Sequence, residues 1–132
     1  MFVNEETVND YKKQGVALLR NVISSDWLEK LARGIEKNFL DPSKYKCVYE
    51  QENGKEIFYD DYCNWQRIEE YKDFIFNSDI AKIAAQLMQS KKVNLFHEHV
   101  LIKEPGAKKR TPWHQDQPYY CVDGKDNCSL WI

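Results

Sequence analysis

The sequence has no excess of either charge. Its 19 lysines and arginines nearly balance 21 aspartates and glutamates, leaving a net charge of −2. Binding driven by a phosphate backbone is therefore not expected, and there is no acidic tail to suggest a basic partner. No apolar run approaches the ~20 residues that span a bilayer. The N-terminus, "MFVNEETVND", has neither the basic nor the apolar region of a signal peptide. The four cysteines, Cys47, Cys63, Cys121 and Cys128, form no CxxC pair, which removes the zinc-ribbon reading. With no export signal, reduced thiols and a cytoplasmic location are expected. Repeats and low-complexity linkers are absent too. What remains is a 132-residue chain, 42% apolar and 14% aromatic, of single-domain size and long enough for a core.

Helices come first. Asn4 can cap a short helix in "NEETVNDYKKQG" that Gly15 ends. "VALLR", Val16 to Arg20, reads as a short buried strand. "SSDWLEKLARGIEKNFLDP" reads as a second helix, with Ser24, Ser25 or Asp26 as cap and Leu28, Leu31, Ile35 and Phe39 on one face. Ser43 to Asp61 has no clear period and reads as loop, with a turn at Asn53-Gly54. "WQRIEEYKDFIFN" and "SDIAKIAAQLMQS" read as helices, the latter capped by Ser78 with Ile80, Ile83, Leu87 and Met88 inward.

The character then changes. "KVNLFHEHVLIKEPG" is β-rich and ends at Pro105-Gly106. "TPWHQD" can resume extended structure, and "CSLWI" starts another strand, Cys128 to Ile132. Helices before strands is the α+β pattern, helices packed on one side of a sheet or barrel. The chain is read as one domain, 1–132: a helical region over about 1–90 and the start of a barrel over about 91–132. A chain ending inside an apolar strand leaves unpaired backbone groups, so the sequence is expected to continue beyond Ile132.

His114 and Asp116 lie two apart. In an extended strand such residues share a face, with Cα atoms about 6–7 Å apart, and Gln115 points away. One imidazole and one carboxylate suit a divalent ion. With a third ligand from elsewhere they would form the facial triad of non-haem Fe(II) oxygenases, whose open positions take a chelating co-substrate and O₂. By spacing alone the pair is a weak signal, and the commoner reading is a histidine and an aspartate hydrogen-bonding in a turn.

"LFHEHVLIKEPG", then "TPWHQDQPYY", then "SLWI" resembles the phytanoyl-CoA dioxygenase family of Fe(II)/2-oxoglutarate oxygenases. The opening "GVALLRNVISSDWLEKL" is similar to that family's first strand and helix. The resemblance spans nearly the whole chain and is most specific at Trp113-His114-Gln115-Asp116. It implies N-terminal helices packed on a double-stranded β-helix, a jelly-roll barrel that is incomplete here. It also implies His114 and Asp116 as iron ligands, and Trp131 lining the 2-oxoglutarate pocket. His99 or Val100 would line it too, with the register open by one. The third ligand and the arginine that pairs with 2-oxoglutarate are implied to follow Ile132; Arg67 and Arg110 do not replace that arginine. The implied reaction is hydroxylation of a small organic substrate, using Fe(II), O₂ and 2-oxoglutarate, with succinate and CO₂ as co-products. This chain alone is expected to bind iron weakly and not to turn over. Asp116 argues against halogenation, because chlorinating relatives lack that carboxylate.

Other residues have competing readings. His97 and His99 form HxH, a cupin-like ligand pair or two half-buried strand histidines. Lys103 can reach an anionic substrate or simply be solvated. Lys108 to Arg110 can attract a phosphate-bearing substrate or form an ordinary charged loop. Tyr119 and Tyr120 can line the substrate mouth or pack. The alternative to an enzyme is a non-catalytic β-helix or cupin-like protein that binds a small ligand or metal.

Overall fold

Capping side chains set the first helices. Asn4 is extended (φ −91°, ψ 171°), and its Oδ1 accepts from the Thr7 amide at 2.8 Å, which starts α1, Glu5–Gln14. Gly15 ends α1 at φ 76°, a left-handed position that a side chain would strain. Ser24 caps α2, Ser25–Leu40, through a 3.4 Å bond from the Trp27 amide. The computed structural model describes residues 2–49, 57–124 and 126–132; the Asn53-Gly54 turn lies outside these. Within them follow β1, Cys47–Tyr49; β2, Phe58–Tyr62; α3, Glu69–Asn77; α4, Ile80–Met88; and β3, His99–Lys103. The fold is thus α+β, with four helices and a three-stranded antiparallel sheet of order β1-β2-β3 among the described residues.

Two packed regions hold these elements. In the first, Val3 and Val8 meet Ile83 and Leu87 of α4, with Tyr11, Ala17, Leu19 and Val22 packed around them. Residues 16–20 were expected as a strand; they have the alternation of one but no ladder partner among the described residues. Ala17 and Leu19 pack inward, while Val16 and Leu18 are 66% and 73% exposed.

In the second region α2 lies against α3. Trp27 meets Phe74 edge-on at 5.6 Å, and Lys30–Asp73 and Lys37–Glu70 ion pairs flank the contact. The inner face of α2 is not the expected stripe. Gly34 and Asn38 are buried, whereas Leu28 and Phe39 are exposed. The cause is what lies opposite, a polar cluster and the ring of Tyr71. A methyl group on Gly34 would stand 2.6 Å from Tyr71 Cε1. Only glycine allows that approach.

The polar cluster joins α2, α3 and the sheet. Asp61, fully buried on β2, accepts from Asn38 Nδ2 at 2.7 Å, the Ser43 amide at 2.9 Å, Tyr59 Oη at 3.1 Å and the Tyr62 amide at 2.9 Å. The Ser43 hydroxyl donates to it as well. Burial by itself would raise the Asp61 pKa. Hydrogen bonds from Ser43, Asn38 and Asn64 outweigh that and lower it to about 2. Burial and the Asp61 charge push the Tyr59 phenol up to about 12. Tyr71 donates to Asn38 Oδ1 at 3.3 Å, and burial raises its phenol further.

β1 and β2 correct the expected loop over Ser43 to Asp61. "FYDDY" shows no apolar–polar alternation because both faces of β2 are covered, one by helices and the other by aromatic rings. The register pairs Val48 with Tyr59, Tyr59 with Ile102 and Asp61 with Val100. Asn38 bonds to Tyr59 and Asp61, so these residues face the helices. Cys47, Tyr49, Phe58, Asp60, Tyr62, His99, Leu101 and Lys103 occupy the opposite face.

Three further boundaries differ from expectation. α3 begins at Glu69, not Trp65, because the Glu98 carboxylate takes the Asn64 and Trp65 amides and holds that stretch as a turn. α4 starts after Asp79, although Ser78 Oγ accepts from the Ile80 amide at 3.4 Å. Val93–Phe96 and Cys128–Ile132, expected as strand, have no ladder partner among the described residues. The sheet is shown; a closed barrel is not.

Candidate metal centre

Beyond β3 the chain turns at Pro105-Gly106, where the Ala107 amide bonds to the Glu104 carbonyl at 3.0 Å, and runs irregularly to Asp116. "TPWHQD" was expected as extended structure. Instead Asp116 is helical (φ −73°, ψ −34°) and opens a 3₁₀ turn, Gln117–Tyr119. Pro118 lies in the first turn, where its missing amide costs nothing. The Tyr119 amide closes the turn on the Asp116 carbonyl at 2.9 Å.

The turn brings His114 and Asp116 together by another route than a strand. His114 Nε2 lies 3.1 Å from Asp116 Oδ1. His114 Nδ1 lies 2.8 Å from the Pro112 carbonyl oxygen, which can only accept, so Nδ1 carries a proton. Nε2 faces a carboxylate oxygen, which also only accepts, so a proton makes this contact and a bound cation would take that proton's place. Two adjacent ligands at right angles on an ion, with bonds of about 2.1 Å, lie about 3 Å apart. The pair meets that spacing. The Pro112 contact is also the outer-shell carbonyl that commonly orients a metal-bound histidine. Both side chains are about half exposed, 43% and 50%. A divalent cation fits this donor pair. A set of three or more such donors does not occur among the described residues.

Tyr120, read from the sequence as lining the substrate mouth or packing, packs here against the segment that leads into β3. Its ring lies 5.0 Å from Phe96 and 5.8 Å, edge-on, from His97. His97 packs at 5.8 Å on Tyr62, which also meets His99 at 5.4 Å and stacks on Tyr45 at 4.8 Å. Tyr62 belongs to the face away from the helices, so the His114–Asp116 loop approaches that face. Burial and the Asp116 charge raise the pKa of the Tyr120 phenol.

The other expected site residues stand apart. His99 is on the same face as Tyr62, and its Nε2 is engaged by Asp60. Val100 faces the helices, opposite Asp61. Trp131 is 87% exposed. None of the described contacts joins these three to His114 or Asp116. His97 and His99 have ring centroids 6.1 Å apart; with His99 Nε2 on Asp60 and His97 Nδ1 3.1 Å from the Glu98 carbonyl, both point to local partners. Lys103 donates to Thr111 Oγ1 at 3.1 Å and its ammonium stands 4.7 Å over Phe58. Arg67 is engaged by Asn64 Oδ1 at 2.8 Å and Asp41 Oδ2 at 2.6 Å, so it ties α2 to the turn before α3. No signal in the sequence marked Asp60 or Asp61, though two adjacent acids amid aromatics in "FYDDY" are an unusual strand composition.

No helix among the described residues is long and apolar enough to cross a membrane. The family model described as Phytanoyl-CoA dioxygenase (PhyH) matches residues 11–132. No curated protein and no solved structure matches the chain.

Proposed function

The chain belongs to the phytanoyl-CoA dioxygenase family, and from that premise we propose that the full-length protein is an Fe(II)/2-oxoglutarate-dependent dioxygenase hydroxylating a small organic substrate. The observation that carries this reading is the convergence of His114 Nε2 and Asp116 Oδ1 at 3.1 Å, with the His114 ring oriented by its Nδ1 contact to the Pro112 carbonyl. His114 and Asp116 are the proposed ligands. A third ligand and a cation for the co-substrate carboxylate are proposed from sequence after Ile132. Bound iron would supply C–H hydroxylation by O₂, coupled to decarboxylation of 2-oxoglutarate to succinate and CO₂.

The chain's own residues do the positioning. Pro112 fixes the His114 ring, and the 3₁₀ turn fixes the Asp116 backbone. His99 is the better candidate than Val100 for the co-substrate pocket, because it shares the sheet face that the metal loop approaches. Trp131 is proposed to line the same pocket. With these strands the fold is proposed to complete a double-stranded β-helix, residues 1–132 being its N-terminal part.

The test is anaerobic titration of the full-length protein with Fe(II) and 2-oxoglutarate, followed by succinate release with candidate substrates. The visible charge-transfer absorption of the ternary complex is expected for wild type. It should vanish in His114→Ala and Asp116→Ala with unchanged melting temperatures. Absence of 2-oxoglutarate binding by wild type would leave the non-catalytic ligand-binding reading instead. Metal binding that survives Asp116→Ala would point to His97, His99 and His114.

A further inference from the structure

His99 begins β3 and His97 lies two residues before it. Each ring has one nitrogen engaged and one bare. Asp60 Oδ1 takes the His99 Nε2 proton, because an ionised carboxylate only accepts. The Glu98 carbonyl likewise accepts from His97 Nδ1 at 3.1 Å. The neutral rings are thus left a lone pair on His99 Nδ1 and on His97 Nε2. Neither atom has a hydrogen-bond partner among the described residues. The His99 side chain is 38% exposed and His97 is half-buried, so an ion can reach both.

The two rings are held on one face. Tyr62, the ladder partner of His99, lies 5.4 Å from its ring and 5.8 Å from that of His97. Glu98, between them, points the other way. Its carboxylate takes the Asn64 and Trp65 amides, and its carbonyl also accepts from the Cys63 amide at 3.3 Å. Asp60 pairs with Leu101, so along β3 it stands on the far side of His99 from His97. The two nitrogens of an imidazole point to different sides of the ring. A ring that gives Nε2 to Asp60 therefore turns Nδ1 toward the His97 side. The ring centroids are 6.1 Å apart. Two imidazoles on one tetrahedral ion, with bonds of about 2.1 Å, have centroids about 5 Å apart. Small side-chain rotations close the difference.

From these contacts we propose a second cation site, separate from His114 and Asp116, in which His97 Nε2 and His99 Nδ1 hold a borderline divalent ion such as Zn(II). Imidazole nitrogens suit that class of ion, and water fills its remaining positions. Metal-bound histidines nearly always give their other ring N–H to a carboxylate or a backbone carbonyl. Here His99 has the first partner and His97 the second. The backbone between the rings is already fixed by the Glu98 contacts, so little has to be ordered when the ion binds.

The experiment is Zn(II) titration of the full-length protein carrying His114→Ala and Asp116→Ala, which remove the proposed iron ligands. Calorimetry reads the affinity, and long-range ¹H–¹⁵N spectra of the histidine rings read which nitrogens bind. The resonances of His97 Nε2 and His99 Nδ1 are expected to shift together, while the two partner nitrogens keep their protons. Adding His97→Gln or His99→Gln should abolish this binding with the melting temperature unchanged. Asp60→Asn should weaken it about 10-fold, the lower end of what outer partners of metal ligands account for. No Zn(II) binding in the His114→Ala, Asp116→Ala background overturns the site, as does binding that survives both glutamine variants. Either result leaves the His114–Asp116 reading as it stands. Binding by wild type that needs His114 together with His97 and His99 overturns the separate site in favour of one three-histidine set.

Discussion

Removing the Asp61 carboxylate is the sharpest test of what holds the sheet to the helices. Asp61 has no exposed surface and takes hydrogen bonds from Asn38, Ser43, Tyr59 and Tyr62. Its pKa falls from 3.8 to about 2, which corresponds to about 2 kcal/mol of stability at neutral pH. In Asp61→Ala the buried Asn38 and Tyr59 donors lose their acceptor. At about 1–3 kcal/mol for each stranded group, the expected loss is about 3–5 kcal/mol. That is a large part of the 5–15 kcal/mol typical of a domain. Asp61→Asn keeps the shape but turns an amide NH₂ toward donors in either orientation, so a loss of about 2–3 kcal/mol is expected. Urea unfolding followed by tryptophan fluorescence measures both. A depressed carboxylate pKa contributes stability that is full above the unfolded value and disappears as pH falls through the folded one. The gap between wild type and Asp61→Asn should therefore narrow by about 2 kcal/mol from pH 6 to pH 2, about half of it by pH 3. Asp61→Ala within about 1 kcal/mol of wild type, or a gap independent of pH, would refute the reasoning.

Other substitutions address separate contacts. Gly34→Ala places a methyl 2.6 Å from Tyr71 Cε1, so a loss of about 1–3 kcal/mol is expected in the same urea assay. Ile83→Ala, at a fully buried position between α1 and α4, should cost about 2–5 kcal/mol and lower the thermal midpoint. Glu98→Gln leaves one acceptor for the two amides of Asn64 and Trp65, and a loss of about 1–2 kcal/mol is expected by chemical denaturation. His114→Ala, at an exposed loop, should change stability by no more than about 0.5 kcal/mol while abolishing Fe(II)-dependent 2-oxoglutarate binding by calorimetry.

The local features were legible because they depend on neighbours in sequence. Asn4 and Gly15 bounded α1, the cap of α2 was one of Ser24, Ser25 and Asp26, and Ile83 and Leu87 marked the inner face of α4. Trp113-His114-Gln115-Asp116 and its flanking segments carried the family. Three features depended on residues far apart in the chain. Asn38 faces inward on α2 because Asp61, 23 residues later, offers it a buried carboxylate. β2 escaped notice because helices cover one face and aromatic rings the other, which erases the alternation a half-exposed strand would show. His114 and Asp116 share a point in space through a 3₁₀ turn, not through the pleat of a strand. So the chain's pattern determined which residues are proposed to hold a cation. Tertiary structure decided how they meet, because a carboxylate on an irregular loop takes its direction from what lies beside it, and here that is the His114 ring.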